Sequence, residues 1–127
     1  MRTFNVMFVD DEENVLKSYI RVFLREPIKI FVADNGTDAM KLFSTQQLDL
    51  IITDIKMPNM HGMELIETIR KEDTTTPIII YSAYEKMKDD CALKNLNVQG
   101  FYSKPEDYSA LCDKIKEMAS ICQTATT

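Results

Sequence analysis

Apolar residues along the chain fall into two alternating patterns. Short runs that are apolar nearly throughout recur at Asn5 to Val9, Lys29 to Val32, Leu48 to Thr53, Pro77 to Tyr81 and Gly100 to Ser103. Between them, apolar positions return every three or four residues, the spacing of one helix face. Val15, Leu16, Tyr19, Ile20, Phe23 and Leu24 make a broad stripe that starts near the acids following Asp10 and closes at Pro27. Ala39, Met40 and Phe43 follow a start at Gly36 and Thr37, and Met63, Leu65, Ile66 and Ile69 follow Gly62. Leu111, Ile115, Met118 and Cys122 form the cleanest helix face, whereas Tyr84 to Leu96 carries a weaker pattern with Met87, Ala92, Leu93 and Leu96 pointing inward. Strands without inside–outside alternation, separated by helices, predict a parallel sheet covered on both faces: a doubly wound α/β domain. In such sheets crossovers are right-handed and ligands sit beyond the carboxyl ends of the strands, where the strand order reverses.

The carboxyl ends are where the polar residues of interest lie. Asp10 and Asp11 close the first apolar run, Asp54 the third, Ser82 the fourth, and Lys104-Pro105 the fifth. A carboxylate closing a run such as Leu48-Asp49-Leu50-Ile51-Ile52-Thr53 costs desolvation energy, so a charge placed there needs a reason. If Asp10, Asp11 and Asp54 are neighbours, their charges repel, and one takes a raised pKa unless a cation shares the site. All-oxygen surroundings of this kind suit Mg²⁺, which keeps several waters and takes one or two carboxylates plus a phosphate. Lys104 supplies one fixed positive charge. A carboxylate nucleophile, a metal, a lysine and a hydroxyl are together what phosphoryl transfer requires.

Composition narrows the function classes. The chain has 127 residues, 45% of them hydrophobic, which suits one domain with its own core. A net charge of −5 and a pI near 4.9 set it against the phosphate backbone of nucleic acid, so direct nucleic-acid binding is not expected. Three cysteines without a CxxC pair point to a reducing compartment. Cys112 and Cys122 on one helix would lie about 15 Å apart along its axis, too far to bridge. No basic stretch leads into an apolar signal region, and no apolar run approaches the roughly 20 residues a bilayer needs, so a cytoplasmic location is the expectation. The domain is expected over residues 1–122, with 123–127 as a polar tail or the start of a linker.

Four segments, Phe8-Val9-Asp10-Asp11-Glu12-Glu13, LDLIITDIKMPNMHG, PIIIYSAY and GFYSKP, resemble the receiver domain of two-component response regulators in order and spacing. The resemblance covers essentially the whole chain. It implies a flavodoxin-like five-stranded sheet in the order 2-1-3-4-5, and Asp54 as phosphoacceptor for a phosphohistidine of a sensor histidine kinase or phosphotransfer protein. It implies that Mg²⁺ or Mn²⁺ is held by Asp11 and Asp54, by Asp10 mainly through water, and by the backbone carbonyl of Lys56. Ser82 would bond a phosphoryl oxygen, Lys104 would pair with Asp54 and then with the phosphoryl group, and the Lys104-Pro105 bond is often cis in the family. Phosphorylation would shift Ser82 and Phe101 and alter the face made by Tyr84 to Leu96, the last strand and the last helix, where an effector domain or protein binds. The run VDDEENVLKSYIRVF is similar to receivers joined to cyclic-dinucleotide phosphodiesterase or cyclase domains, and a phosphorylation-dependent dimer is a further implication. The chemistry implied is self-phosphorylation and self-dephosphorylation only, not that of a turnover enzyme.

The chain also departs from the family pattern. Phe101 stands where Tyr is frequent, and alternation turns Tyr102 to the opposite face. Glu106 replaces the usual apolar residue after Pro105, which puts the start of the last helix and the output face in question. Lys56 and Tyr84 occupy the two positions that, by the resemblance, tune water access to an aspartyl phosphate in the family, and they imply slow dephosphorylation. His61 is expected to be a loop residue, and Met57 and Met60 to pack beside the site. Two alternatives stand: a haloacid-dehalogenase-like phosphatase, disfavoured because Lys56 holds the place of its second Asp, and an unphosphorylated interaction module of the same fold. Gly36, Gly62 and Gly100 form no GxGxxG or GxxxxGK loop, which disfavours nucleotide binding.

Overall fold

The computed structural model describes residues 3–57, 61–83 and 96–125, without the side chains of 122–125. Strands β1 (Phe4–Val9), β2 (Ile28–Ala33), β3 (Leu50–Thr53), β4 (Ile78–Ser82) and β5 (Gly100–Ser103) form one sheet in the order β2-β1-β3-β4-β5. All four pairings are parallel. Helices α1 (Glu13–Val22), α2 (Gly36–Thr45), α3 (Gly62–Glu72) and α4 (Tyr108–Ala125) are the described helices. The doubly wound fold and the implied strand order are therefore observed. The sequence segment from Tyr84 to Asn95, with Met87, Ala92 and Leu93, lies outside the described residues.

The sheet divides the core into two layers. On one face Val6, Phe8, Leu50, Ile52 and Ile79 meet Leu16, Tyr19 and Phe23 of the α1 side and Leu111, Cys112 and Ile115 of α4. On the other, Met7, Val9, Ile51, Ile78 and Ile80 meet Ala39 of α2 and Leu65, Ile66 and Ile69 of α3. Neighbouring strand residues point to opposite layers, and in β1, β3 and β4 nearly all of them are buried, which is why these strands read as apolar runs, whereas edge strand β2 exposes Lys29 and Val32.

The α1 stripe is narrower than the sequence spacing predicts. Leu16, Tyr19 and Phe23 are buried, but Ile20 and Leu24 are 43% and 74% exposed. The helix ends at Val22 with Phe23 as its cap, so Leu24 leaves the helical register. Phe8 stacks on Tyr19 at 3.9 Å between ring centres and meets Phe23 at 5.9 Å; these rings fill the space available under α1.

Helix starts follow local chemistry. Asn35 caps α2 by accepting from the Asp38 amide at 2.8 Å. His61 Nδ1 accepts from the Met63 amide at 3.2 Å, so the lone histidine caps α3, in keeping with a loop position. The turn from Lys104 to Asp107 precedes α4. There the Asp107 carboxylate accepts from the Ser103 amide at 2.9 Å while Glu106 is exposed, so Asp107, not Glu106, organises the entry to the last helix.

Arg70 fastens the end of α3 to the chain entering β5. Its Nε donates to the Leu96 carbonyl at 2.8 Å, and its Nη atoms donate to the Asn97 and Asp73 carbonyls, each at 3.1 Å. Asn97 has φ of 57°, in the left-handed region that Asn tolerates better than most residues. Arg70→Met is expected to lower stability by about 2 kcal/mol, because three charge-assisted bonds to partly buried carbonyls are lost. A reduced denaturant midpoint with an unchanged slope is the measurement.

Candidate functional site

Strand order places the acids. β1 and β3 are neighbours, and the chain leaves them in opposite directions across the sheet, toward β2 and toward β4. The crevice between their carboxyl ends is a topological switch point. Asp10 and Asp54 extend the two strands by one rung each: the Asp10 amide donates to the Ala33 carbonyl and the Asp54 amide to the Val9 carbonyl, both at 3.0 Å. The carboxylates are thereby held on rigid backbone. Carboxylate oxygens of Asp10, Asp11 and Asp54 all lie within 4.8 Å of one another. Asp10 and Asp54 are buried, while Asp11 is exposed at the mouth.

Lys104 reaches this cluster from the end of β5. Its Nζ is 2.7 Å from Asp10 Oδ2, 2.8 Å from Asp54 Oδ2 and 2.9 Å from Glu12 Oε2. Glu12 is the member that sequence reasoning missed: it belongs to the same acid run as Asp10 and Asp11, and only the approach of Lys104 singles it out. The Lys104 amide donates to the Ser82 carbonyl at 3.0 Å, and the Lys104–Pro105 bond is cis. Ser82 is buried at the end of β4, opposite Ser103 in register. Asp11, Asp54, Lys56, Ser82 and Lys104 are among the residues lining an open cleft of about 340 Å³. Asp10, Asp11, Asp54, Lys56, Ser82 and Lys104, all named from sequence, therefore converge on one place. Met57 is partly buried against the α2–α3 core layer, whereas Met60 and Tyr84 lie outside the described residues. Phe101 is half-buried against the α2–α3 layer and Tyr102 against the other, as alternation requires.

The backbone around Asp54 is fixed from several sides. Asp54 Oδ1 accepts from the Ile55 amide at 2.6 Å, and the Thr53 hydroxyl donates to the Asp54 carbonyl at 2.9 Å. The Gly62 amide donates to the Ile55 carbonyl at 2.7 Å. A Cβ on Gly62 would lie 2.0 Å from the Asp54 carbonyl oxygen and 2.8 Å from Ile55 Cα. Glycine at this position closes the loop after Asp54 onto the start of α3.

Charge in the site is out of balance. Burial pushes the Asp10 carboxyl up to about 6, against the opposing pull of Lys104 and the Glu12 amide. Burial also works against the Lys104 ammonium, but its hydrogen bonds to Asp10, Asp54 and Glu12 outweigh that and raise it above the ordinary lysine range. Four acids around one lysine leave a deficit of positive charge and an oxygen-only donor set, and these fit Mg²⁺.

The folded protein holds a proton on Asp10 that the unfolded chain has released between about pH 4 and 6, so in that window stability falls as pH rises. Asp10→Asn is expected to flatten this slope and to raise the neutral-pH stability of the metal-free protein by about 1–2 kcal/mol. Thermal melts from pH 4 to 7 with a chelator present check it. Added Mg²⁺ should stabilise the wild type more than the variant.

A family model described as the response regulator receiver domain matches residues 6–116. The transcriptional regulatory protein GlrR of Escherichia coli (strain K12) is 29% identical over 122 residues, which is 96% of this chain and 28% of that protein. The chain thus spans little more than a quarter of that relative. Sporulation initiation phosphotransferase F of Bacillus subtilis (strain 168) is 28% identical over 112 residues, 88% of this chain and 90% of that protein. Among solved structures, the response regulator protein TrrA of Thermotoga maritima, in complex with Mg²⁺-BeF, superposes with a TM-score of 0.81 at 29% identity, covering 91% of this chain and 99% of that one. No described helix is long and apolar enough to cross a membrane. Because the family match runs from the first acid-bearing strand through Lys104 and into the last helix, this chain belongs to the receiver domains of response regulators.

Proposed function

We propose that Asp54 is the phosphoacceptor of this receiver. A carboxylate oxygen of Asp54 attacks the phosphorus of a phosphohistidine on a histidine kinase or phosphotransfer protein. The O–P bond forms as the P–N bond breaks, and the electron pair returns to the imidazole nitrogen. The observation that carries this reading is Lys104 Nζ at 2.8 Å from a buried Asp54 carboxylate beside two further acids. Asp10, Asp11, Asp54 and the Lys56 backbone carbonyl are the proposed ligands of Mg²⁺ or Mn²⁺, which when bound would neutralise phosphoryl oxygens. Lys104 holds the Asp54 carboxylate before transfer and a phosphoryl oxygen after it. Ser82 supplies a hydroxyl to another.

The output is a population shift between two packings. Ser82 and Phe101 are the proposed switch residues, and the effector partner binds at the face bearing β5 and α4. Self-phosphorylation and self-dephosphorylation are the chemistry of this domain, residues 1–122, and a cytoplasmic site of action suits its thiols. A phosphorylation-dependent dimer through the same face is a further part of this reading.

The test is incubation with acetyl phosphate and Mg²⁺ followed by intact-mass measurement, with beryllofluoride binding in parallel. The expected result is one phosphoryl group per chain, lost on chelation before labelling. No modification and no beryllofluoride binding by the wild type would sink the reading.

A further inference from the structure

We propose that Tyr81 is a positioning residue for Lys104, its ring presenting a face to the ammonium on a side the carboxylates do not cover. The inference rests on the reading of Asp54 as phosphoacceptor. Tyr81 directly precedes Ser82 on β4, so strand alternation turns it away from the Ser82 side and into the layer beneath α1 and α4. It is 3% exposed. Lys104 Nζ lies 5.5 Å from the centre of its ring, within the roughly 6 Å over which a ring quadrupole attracts a cation, and the attraction grows when both partners are desolvated.

The contact has a clear task. Asp10, Asp54 and Glu12 occupy the three N–H donors of the ammonium, so the ring meets Lys104 as an electrostatic face and not as an acceptor. Tyr81 is itself held. Its ring lies 6.4 Å from Tyr19 in an edge-on arrangement and 6.0 Å from Tyr108, and Tyr108 Oη hydrogen-bonds Ser18 Oγ at 2.5 Å. A lysine that must leave a carboxylate for a phosphoryl oxygen gains from one neighbour that stays fixed while its head turns. The aromatic wall between α1 and α4 supplies that neighbour.

Two measurements test this, and the first needs no phosphorylation. Denaturant unfolding of the wild type, Tyr81→Leu, Lys104→Met and the double variant should give non-additive losses. In the second, Mg²⁺-dependent labelling by acetyl phosphate should slow about fivefold in Tyr81→Leu and stay within about twofold of wild type in Tyr81→Phe, which keeps the ring face. Additive losses overturn the contact. Wild-type labelling in Tyr81→Leu, or equal slowing in Tyr81→Phe, overturns the positioning role. A wild type that takes no label overturns the phosphoacceptor reading and the use of the contact in transfer, while the unfolding cycle still reads the contact itself.

Discussion

Asp54→Asn is expected to take no phosphoryl group from acetyl phosphate and Mg²⁺ while the domain stays folded. The amide is nearly the same shape and can still accept from the Ile55 amide through its oxygen, so the loop after β3 keeps its anchor. It lacks the negative oxygen that must bond to phosphorus, and no charge distribution around it restores one. The loss should be complete within detection by intact mass. Removing one charge relieves repulsion among the acids, while the amide NH2 now faces the Lys104 ammonium in place of an acceptor oxygen, so these effects oppose each other and the melting temperature should stay close to wild type. That pairing separates loss of the nucleophile from loss of the fold. Label retained on Asp54→Asn would move the acceptor to another acid, and Asp10, Asp11 and Glu12 would be the first to examine.

Gly62→Ala should produce the largest structural effect of a single methyl group. Its Cβ would fall 2.0 Å from the Asp54 carbonyl oxygen, a backbone atom with no flexible end to move aside. Either α3 must retreat from β3 or the peptide after Asp54 must rotate. The first opens the α3 layer against Ile51 and Ile80, and the second breaks the bonds from Thr53 and Gly62 that orient the acceptor. A loss of about 3 kcal/mol or more follows from such overpacking, which for a domain of this size lowers the melting temperature by about 10 °C. Labelling of the remaining folded protein should fall as well, because the Asp54 carboxylate no longer keeps its direction. A melt within a degree or two of wild type would show that the approach of α3 to Asp54 is looser than these distances state.

The elements were legible because burial leaves a local signature. Each strand buried on both faces reads as an apolar run, and the α4 face of Leu111, Ile115 and Met118 is observed where its spacing places it. Where burial depended on distant residues, periodicity overreached. Ile20 and Leu24 share a stripe with Leu16 and Tyr19, yet Phe8 and Phe23 already fill the layer and leave them outside. The entry to α4 shows the same limit: Glu106 stands out as a departure in the sequence, while Asp107, which accepts the Ser103 amide, carries no mark until the turn is seen.

Within the site, local patterning is enough to put Asp10, Asp11, Asp54, Ser82 and Lys104 at strand ends. Strand ends are defined by local patterning, and a charge closing an apolar run is visible in one dimension. How far apart these residues are, and what else joins them, depends on how the elements pack. Glu12 as a partner of Lys104, the ring of Tyr81 beside the ammonium, and Gly62 against the Asp54 carbonyl each pair residues from different elements. Their distances follow from the sheet order and from helix packing on either face, long-range quantities that no window of sequence contains. The raised pKa of Asp10 belongs with them, since burial and the crowding of charges exist only once β1, β3 and β5 bring their ends together.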